Sequence, residues 1–175
     1  MKKYELTDDS ITFMGRKLFR IRAIRSFNDV AVGDLGGYIE KEENLSHDND
    51  AWISDNARIS GNARISDKAR IYGDARISGN ACIFGNTCSY DNISISDNAH
   101  ISDDADYLYL KGLGSENRNT TFFKCKDGHI HVSCGCFSGN LAEFETKVKK
   151  THGDSKYAKE YLACIEVVKI HCEEE

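Results

Sequence analysis

The stretch AWISDNARISGNARISDKARIYGDARISGNACIFGNTCSYDNISISDNAHISDD, residues 51–104, decides the fold. It divides into nine consecutive hexads, most of which read Ala-x-Ile-Ser-(Asp or Gly)-(Asn, Asp or Lys). A period of six fits neither a helix of about 3.6 residues per turn nor a meander of long strands. It fits a short strand and a sharp corner, repeated. Side chains alternate across a strand, so Ile faces inward and its neighbours face outward. Ala suits the crowded corner, and Asp, Gly and Asn tolerate turn conformations, left-handed ones included. Three hexads close a triangular coil of 18 residues, which predicts that Ile59, Ile77 and Ile95 lie one above another. Successive coils should stack in β-sheet register roughly 4.8 Å apart.

Counting by coils sorts the outward side chains onto three walls. One wall carries Trp52, Ser54, Arg70, Tyr72, Cys88, Tyr90, Asp106 and Leu108. The second carries Arg58, Ser60, Arg76, Ser78, Ser94 and Ser96, and reads as solvated. The third carries Arg64, Ser66, Cys82, Phe84, His100 and Ser102. An aromatic and apolar column on the first wall, with the one tryptophan of the chain, is not expected to stay in water. It predicts cover by the flanking domain or a second subunit, or else a ligand groove; the predicted interaction face is Trp52, Arg70, Tyr72, Cys88, Tyr90 and Leu108. The same wall holds the irregular hexad, where Thr87 and Ser89 replace the corner Ala and the inward Ile. Arg58, Arg64, Arg70 and Arg76 fall on all three walls in turn and form a girdle, for which Asp55, Asp67 and Asp74 are the expected ion-pair partners. The Asp and Asn turns lack the register of calcium-binding β-rolls, and turn chemistry accounts for them.

This repeat resembles the hexapeptide-repeat family of left-handed β-helices. Gly33–Ser46 (GDLGGYIEKEENLS) and Gly112–Phe123 (GLGSENRNTTFF) resemble uncharacterised members found in bacteria and their phages. The resemblance implies the left hand, which spacing alone does not give. Ile39 and Leu45 lie near the inward phase ahead of Ile53, so the helix is read back to about Ile39. The expected architecture is mainly β: an N-terminal β-hairpin cap (1–38), a left-handed parallel β-helix of about four coils (39–110) and a C-terminal α+β domain (111–175).

In the first flank, ITFMGRKLFRIRAI (residues 11–24) alternates as a strand pair turning at Gly15, with Phe19, Ile21 and Ala23 on one face and Leu18, Arg20, Arg22 and Ile24 on the other. Such a pair would cover the unpaired end of a β-helix. The basic cluster Arg16, Lys17, Arg20, Arg22 and Arg25 reads as the wet face of a strand, with phosphate contact as the alternative. In the second flank, TTFFKCKDGHIHVSCGCF reads as a hairpin with Asp127-Gly128 as a two-residue turn. That turn pairs Cys125 with Ile130 and puts Phe123, Cys125, Ile130, Val132, Cys134 and Cys136 on one face, His129 and His131 on the other. Zinc prefers thiolate and imidazole, but with the ligands on opposite faces no metal site is expected, and the cysteines read as small buried apolar residues. A capping box at Asn140-Leu-Ala-Glu143 opens a helix with Leu141, Phe144 and Val148 on one face, ending at Gly153. A second helix from about Ser155 would turn Tyr157, Tyr161, Cys164, Ile165, Val168 and Cys172 inward.

The chain has 175 residues, a formal charge of −5 and no proline. That balance argues against coating nucleic acid or anionic membrane. No apolar run is long enough to span a bilayer, and the start MKKYELTDDS has no signal-peptide core, so a cytoplasmic protein is expected. Seven scattered cysteines read as free thiols of a reducing compartment. Many members of the resembled family are acyltransferases with a coil histidine as general base; His100 would take that role here, with acyl-CoA as donor. It is the one histidine in the repeat, and no loop interrupts the hexads. The expected function is therefore a non-enzymatic protein-binding or scaffold module without cofactor, working as a homo-oligomer (dimer or trimer) with a protein partner. The resemblance to phage and prophage proteins extends this to an inhibitor of a bacterial defence system. A nucleotide-binding sponge using the aromatic wall and Arg70 is a further alternative.

Overall fold

The computed structural model describes residues 1–89 and 92–172. The chain divides into two compact units, Met1–Asp104 and Ala105–Glu175.

In the first unit the hexads form a β-solenoid. Each contributes a two-residue strand: β4 (Trp52–Ile53), β5 (Arg58–Ile59), β6 (Arg64–Ile65), β7 (Arg70–Ile71), β8 (Arg76–Ile77), β9 (Cys82–Ile83), β10 (Cys88–Ser89), β11 (Ser94–Ile95) and β12 (His100–Ile101). Ile77 pairs in parallel with Ile59 on one side and with Ile95 on the other. The same spacing builds β4-β7-β10 and β6-β9-β12, giving about three turns. The inward isoleucines 53, 59, 65, 71, 77, 83, 95 and 101 are almost wholly buried, and the corner alanines with them. Each such side chain contributes about 1.5–3 kcal/mol when taken out of water, which is why the period survives while the outward positions vary.

Seven of the described corners hold a residue at positive φ: Asp55, Asp67 and Asp97 and Gly61, Gly73, Gly79 and Gly85. At Gly79 a Cβ would stand 2.7 Å from the Asp97 nitrogen, so a side chain there would collide with the next coil. Two of the turn aspartates have a different job from the expected one. Among the described residues Asp55 and Asp67 form no ion pair with the arginine girdle; their carboxylates accept the backbone N–H of Gly73 and Gly85 one coil on, at 2.9 and 3.2 Å. Short carboxylates at a corner reach the backbone above more easily than they reach a neighbouring guanidinium.

Ahead of the solenoid, β1 (Tyr4–Phe13) and β2 (Arg16–Ala23) turn at Met14-Gly15 and β3 (Leu35–Ile39) follows, giving one sheet in the order β1-β2-β3-β5-β8-β11. Tyr38 and Ile39 pair in parallel with Arg58 and Ile59, and Leu45 bridges Ile65. A Cβ on Gly37 would lie 2.6 Å from the Ala57 carbonyl oxygen, so glycine lets β3 approach that closely. The strict alternation expected in β2 is broken: Leu18 is buried together with Ile21 and Ala23. Register shifts on both sides of the strand change its facing between Leu18 and Ile21.

The second unit is an antiparallel sheet in chain order, β13 (Tyr107–Leu113), β14 (Arg118–Lys124), β15 (Ile130–Cys134) and β16 (Phe137–Asn140), with α1 (Leu141–His152) and α2 (Lys156–His171). Residues 107–110 therefore do not continue the solenoid. Leu108 pairs opposite Phe122 in an antiparallel ladder, because the hexad phase stops after Asp104 and Tyr107–Leu110 extends into a seven-residue strand. Asn140 caps α1: its side chain accepts the Glu143 N–H at 2.9 Å, and Glu143 accepts the Asn140 N–H at 3.0 Å. Ser155 caps α2. The core is Leu113, Phe122, Val132, Cys134, Phe144, Val148, Ala158, Tyr161, Ile165 and Val168. Among the described residues no helix is long and apolar enough to cross a membrane.

Candidate functional site

At Trp52 and Arg70 the first wall is covered by the chain's own N-terminal segment. Trp52 is only 3% exposed, with Phe27 and Tyr4 edge-on to its ring at 5.5 and 6.4 Å. Lys3 is buried beside it and donates to the carbonyls of Ala51, Asn49 and Asp48 at 2.7, 3.2 and 3.4 Å. Its ammonium also lies over the Phe27 ring. Burial pushes the Lys3 amine down to about 8, with Asp50 acting the other way. The Tyr4 hydroxyl donates to the Glu42 and Leu45 carbonyls, and burial raises its pKa.

Arg70 is equally committed. Its guanidinium pairs with Asp29, and it donates to the Tyr72 hydroxyl at 3.2 Å and to the Asp50 carbonyl at 3.3 Å. The cation that a nucleotide on this wall would need is thus held by groups of the same chain. Of the predicted interaction face, Trp52 and Arg70 are buried, while Tyr72 and Cys88 are half-buried. Tyr90 lies outside the described residues, and Leu108 sits on β13. The face is not one continuous open patch. Lys3, Tyr4, Phe27 and Asp29 are the residues that sequence reasoning missed, since nothing local marks contacts spanning some forty residues.

The second wall holds Arg58 and Arg76 over Phe13, at 5.2 and 5.6 Å from its ring centre. The basic cluster of β2 is partnered too. Arg16 pairs with Glu40 and Arg22 with Glu5, while Arg20 donates to the Tyr38 hydroxyl. The third wall is more open: Arg64, His100 and Ser102 are exposed, Cys82, Phe84 and Ser66 half-buried. Phe84 stands edge-on to His100 at 4.9 Å.

In the second unit the hairpin register differs from the predicted one. Lys124 pairs with Ile130 and Phe123 with His131, and the Cys125 N–H donates to the His129 carbonyl at 2.9 Å. The turn is the three residues Lys126, Asp127 and Gly128, with Gly128 at φ +85°. A slip of one residue exchanges the faces of one strand relative to the other. Cys125, His129 and His131 consequently share a face with Phe123, and one donor atom from each lies within 4.8 Å of the others. Val132 and Cys134 go to the helix-packed face, where Cys134 accepts from Thr120 and neighbours the Tyr161 hydroxyl. Cys136, expected among the buried cysteines, is exposed because it sits in the turn before β16.

The unit also has a cleft of about 340 Å³ whose rim includes Arg118, Lys147 and His152 and whose floor includes Phe144 and Tyr161. His152 stacks on Tyr161 at 5.7 Å, and burial raises the tyrosine hydroxyl's pKa.

No curated protein matches the chain. A family model described as the YdcK β-solenoid repeat matches residues 51–67, 57–73 and 69–83. The isoleucines it covers, Ile53 to Ile83, belong to the stacked set of the structure, and the central part of this chain is a repeat β-helix.

Proposed function

We propose that this protein is a non-enzymatic protein-binding module that presents the third wall of its solenoid to a macromolecular partner. The observation that carries the reading is the unequal treatment of the walls: the N-terminal segment covers Trp52 and Arg70, yet on the third wall Arg64 and His100 stand in solvent, with His100 edge-on to a half-buried Phe84. A stiff, flat surface with two basic-capable side chains around an aromatic ring suits a protein surface bearing carboxylates beside an apolar contact. The resemblance to hexapeptide-repeat proteins of bacteria and phages supports a phage- or prophage-encoded inhibitor of a bacterial defence protein, acting in the cytoplasm.

The same resemblance supports a left-handed coil. The parallel pairing of Ile39 with Ile59 and Leu45 with Ile65 supports a fourth, shorter coil. The antiparallel union of β2 with β3 supports a capping role for the first flank, since it pairs a strand edge that would otherwise be open.

The test is capture from bacterial lysate by the full chain, run beside Arg64→Glu/Phe84→Ser and beside Ser78→Arg on the second wall. The reading expects one protein retained by the native chain and by Ser78→Arg, and its affinity lowered at least tenfold by the third-wall variant. Equal capture by all three, or no protein retained by any, overturns it.

A further inference from the structure

We propose that Cys125, His129 and His131 form a binding site for a zinc-class divalent transition ion. The observation is geometric: Cys125 just after β14, His129 just before β15 and His131 on β15 bring one thiol and two imidazole donors within 4.8 Å of one another. Donors held about 2.0–2.3 Å from a shared ion stand roughly 3.3–3.8 Å apart, so the three need to close by about 1 Å on binding. The backbone already fixes the rest. Cys125 and His129 face each other one step beyond the last ladder pair, Lys124 and Ile130, closed by the Cys125 N–H to His129 carbonyl bond at 2.9 Å. His131 follows two residues along β15 and so returns to the same face.

The surroundings orient the ligands. Asp127 in the turn contacts His129 Nδ1 at 2.5 Å, which leaves Nε2 to face an ion and matches the carboxylate–imidazole pairing that steadies metal-bound histidines. Ser138 Oγ lies 2.8 Å from His131 Nε2, and the His131 ring stacks on Phe123. Cys125 is 4% and His131 6% exposed, whereas His129 is half-buried. The site is therefore walled on one side and open on the other. Thiolate with two imidazoles favours zinc and its cobalt surrogate over magnesium or calcium, which take oxygen donors. Binding displaces the Cys125 thiol proton to solvent, and three protein ligands leave a fourth position for water or a donor from a partner.

The experiment uses the full chain freed of metal by chelator and titrated with cobalt(II). The proposal expects one equivalent bound, with a thiolate-to-cobalt charge-transfer band that one equivalent of zinc abolishes. Cys125→Ser should remove the band and weaken binding at least tenfold, and His129→Asn should weaken it likewise. Asp127→Asn should weaken binding less, while Cys134→Ser and Cys136→Ser should leave the band intact. Circular dichroism of each variant confirms folding. Absence of stoichiometric binding by the native chain overturns the proposal, as does a band that survives Cys125→Ser and is lost in Cys136→Ser.

Discussion

Lys3 places an ammonium group inside the first unit, three carbonyl oxygens around it and an aromatic ring on one side. Its folded pKa of about 8 lies below the ordinary 10.5. Between those values the unfolded chain binds more protons than the folded one, so stability rises with pH across that window. Tyr4 acts in the opposite sense. Its pKa is raised from 10.0, so the unfolded chain ionises first and stability falls once pH passes about 10. Urea unfolding followed by Trp52 fluorescence should show a midpoint that climbs from pH 8 towards pH 10 and then declines. Lys3→Met should flatten the climb, and a native midpoint falling steadily from pH 8 would contradict this account. Neither residue could be singled out from the sequence, because what defines them is burial against Ala51, Leu45 and Trp52, far along the chain.

At the scale of strands and turns, covalent periodicity and turn geometry differ in how openly they are written. The stack of Ile59, Ile77 and Ile95 follows from counting, because eight of the nine hexads repeat the same inward residue. Ile77→Ala should cost about 2–5 kcal/mol, the usual range for emptying a packed core position. Arg76→Ala, which removes a cation above Phe13, should cost under about 1 kcal/mol; denaturant titration of the pair measures the contrast. The 128 hairpin was less legible. Asp-Gly suits both a two-residue turn and a three-residue loop with glycine in the left-handed position, and the choice reverses which side chains meet. Cys125 and the two histidines were thus visible as a composition and invisible as a constellation. The helices were easier, since Asn140 with Glu143, Ser155 and Gly153 are chemical stops and starts that act within one turn.

Over the whole molecule, the two units differ in how they are built. The second assembles its core from Leu113 through Val168 without a residue of the repeat. A fragment beginning at Ala105 should therefore unfold cooperatively in urea and show helical circular dichroism. A fragment with coil-like spectra and no transition would mean that this core is insufficient. In the first unit the buried isoleucines run coil upon coil, each paired with those eighteen residues away. The amide ladder Asn62, Asn80 and Asn98, with 3.2 Å between successive side chains, shows what that implies for inheritance. A duplication of eighteen codons would lengthen the shaft by one rung and leave every later side chain on its own wall. Loss of six codons would rotate all that follows by a third of a turn, moving Phe84 and His100 to a different side of the prism. Such a gene is a ruler with eighteen-codon graduations, able to vary its reach by whole divisions but not by fractions.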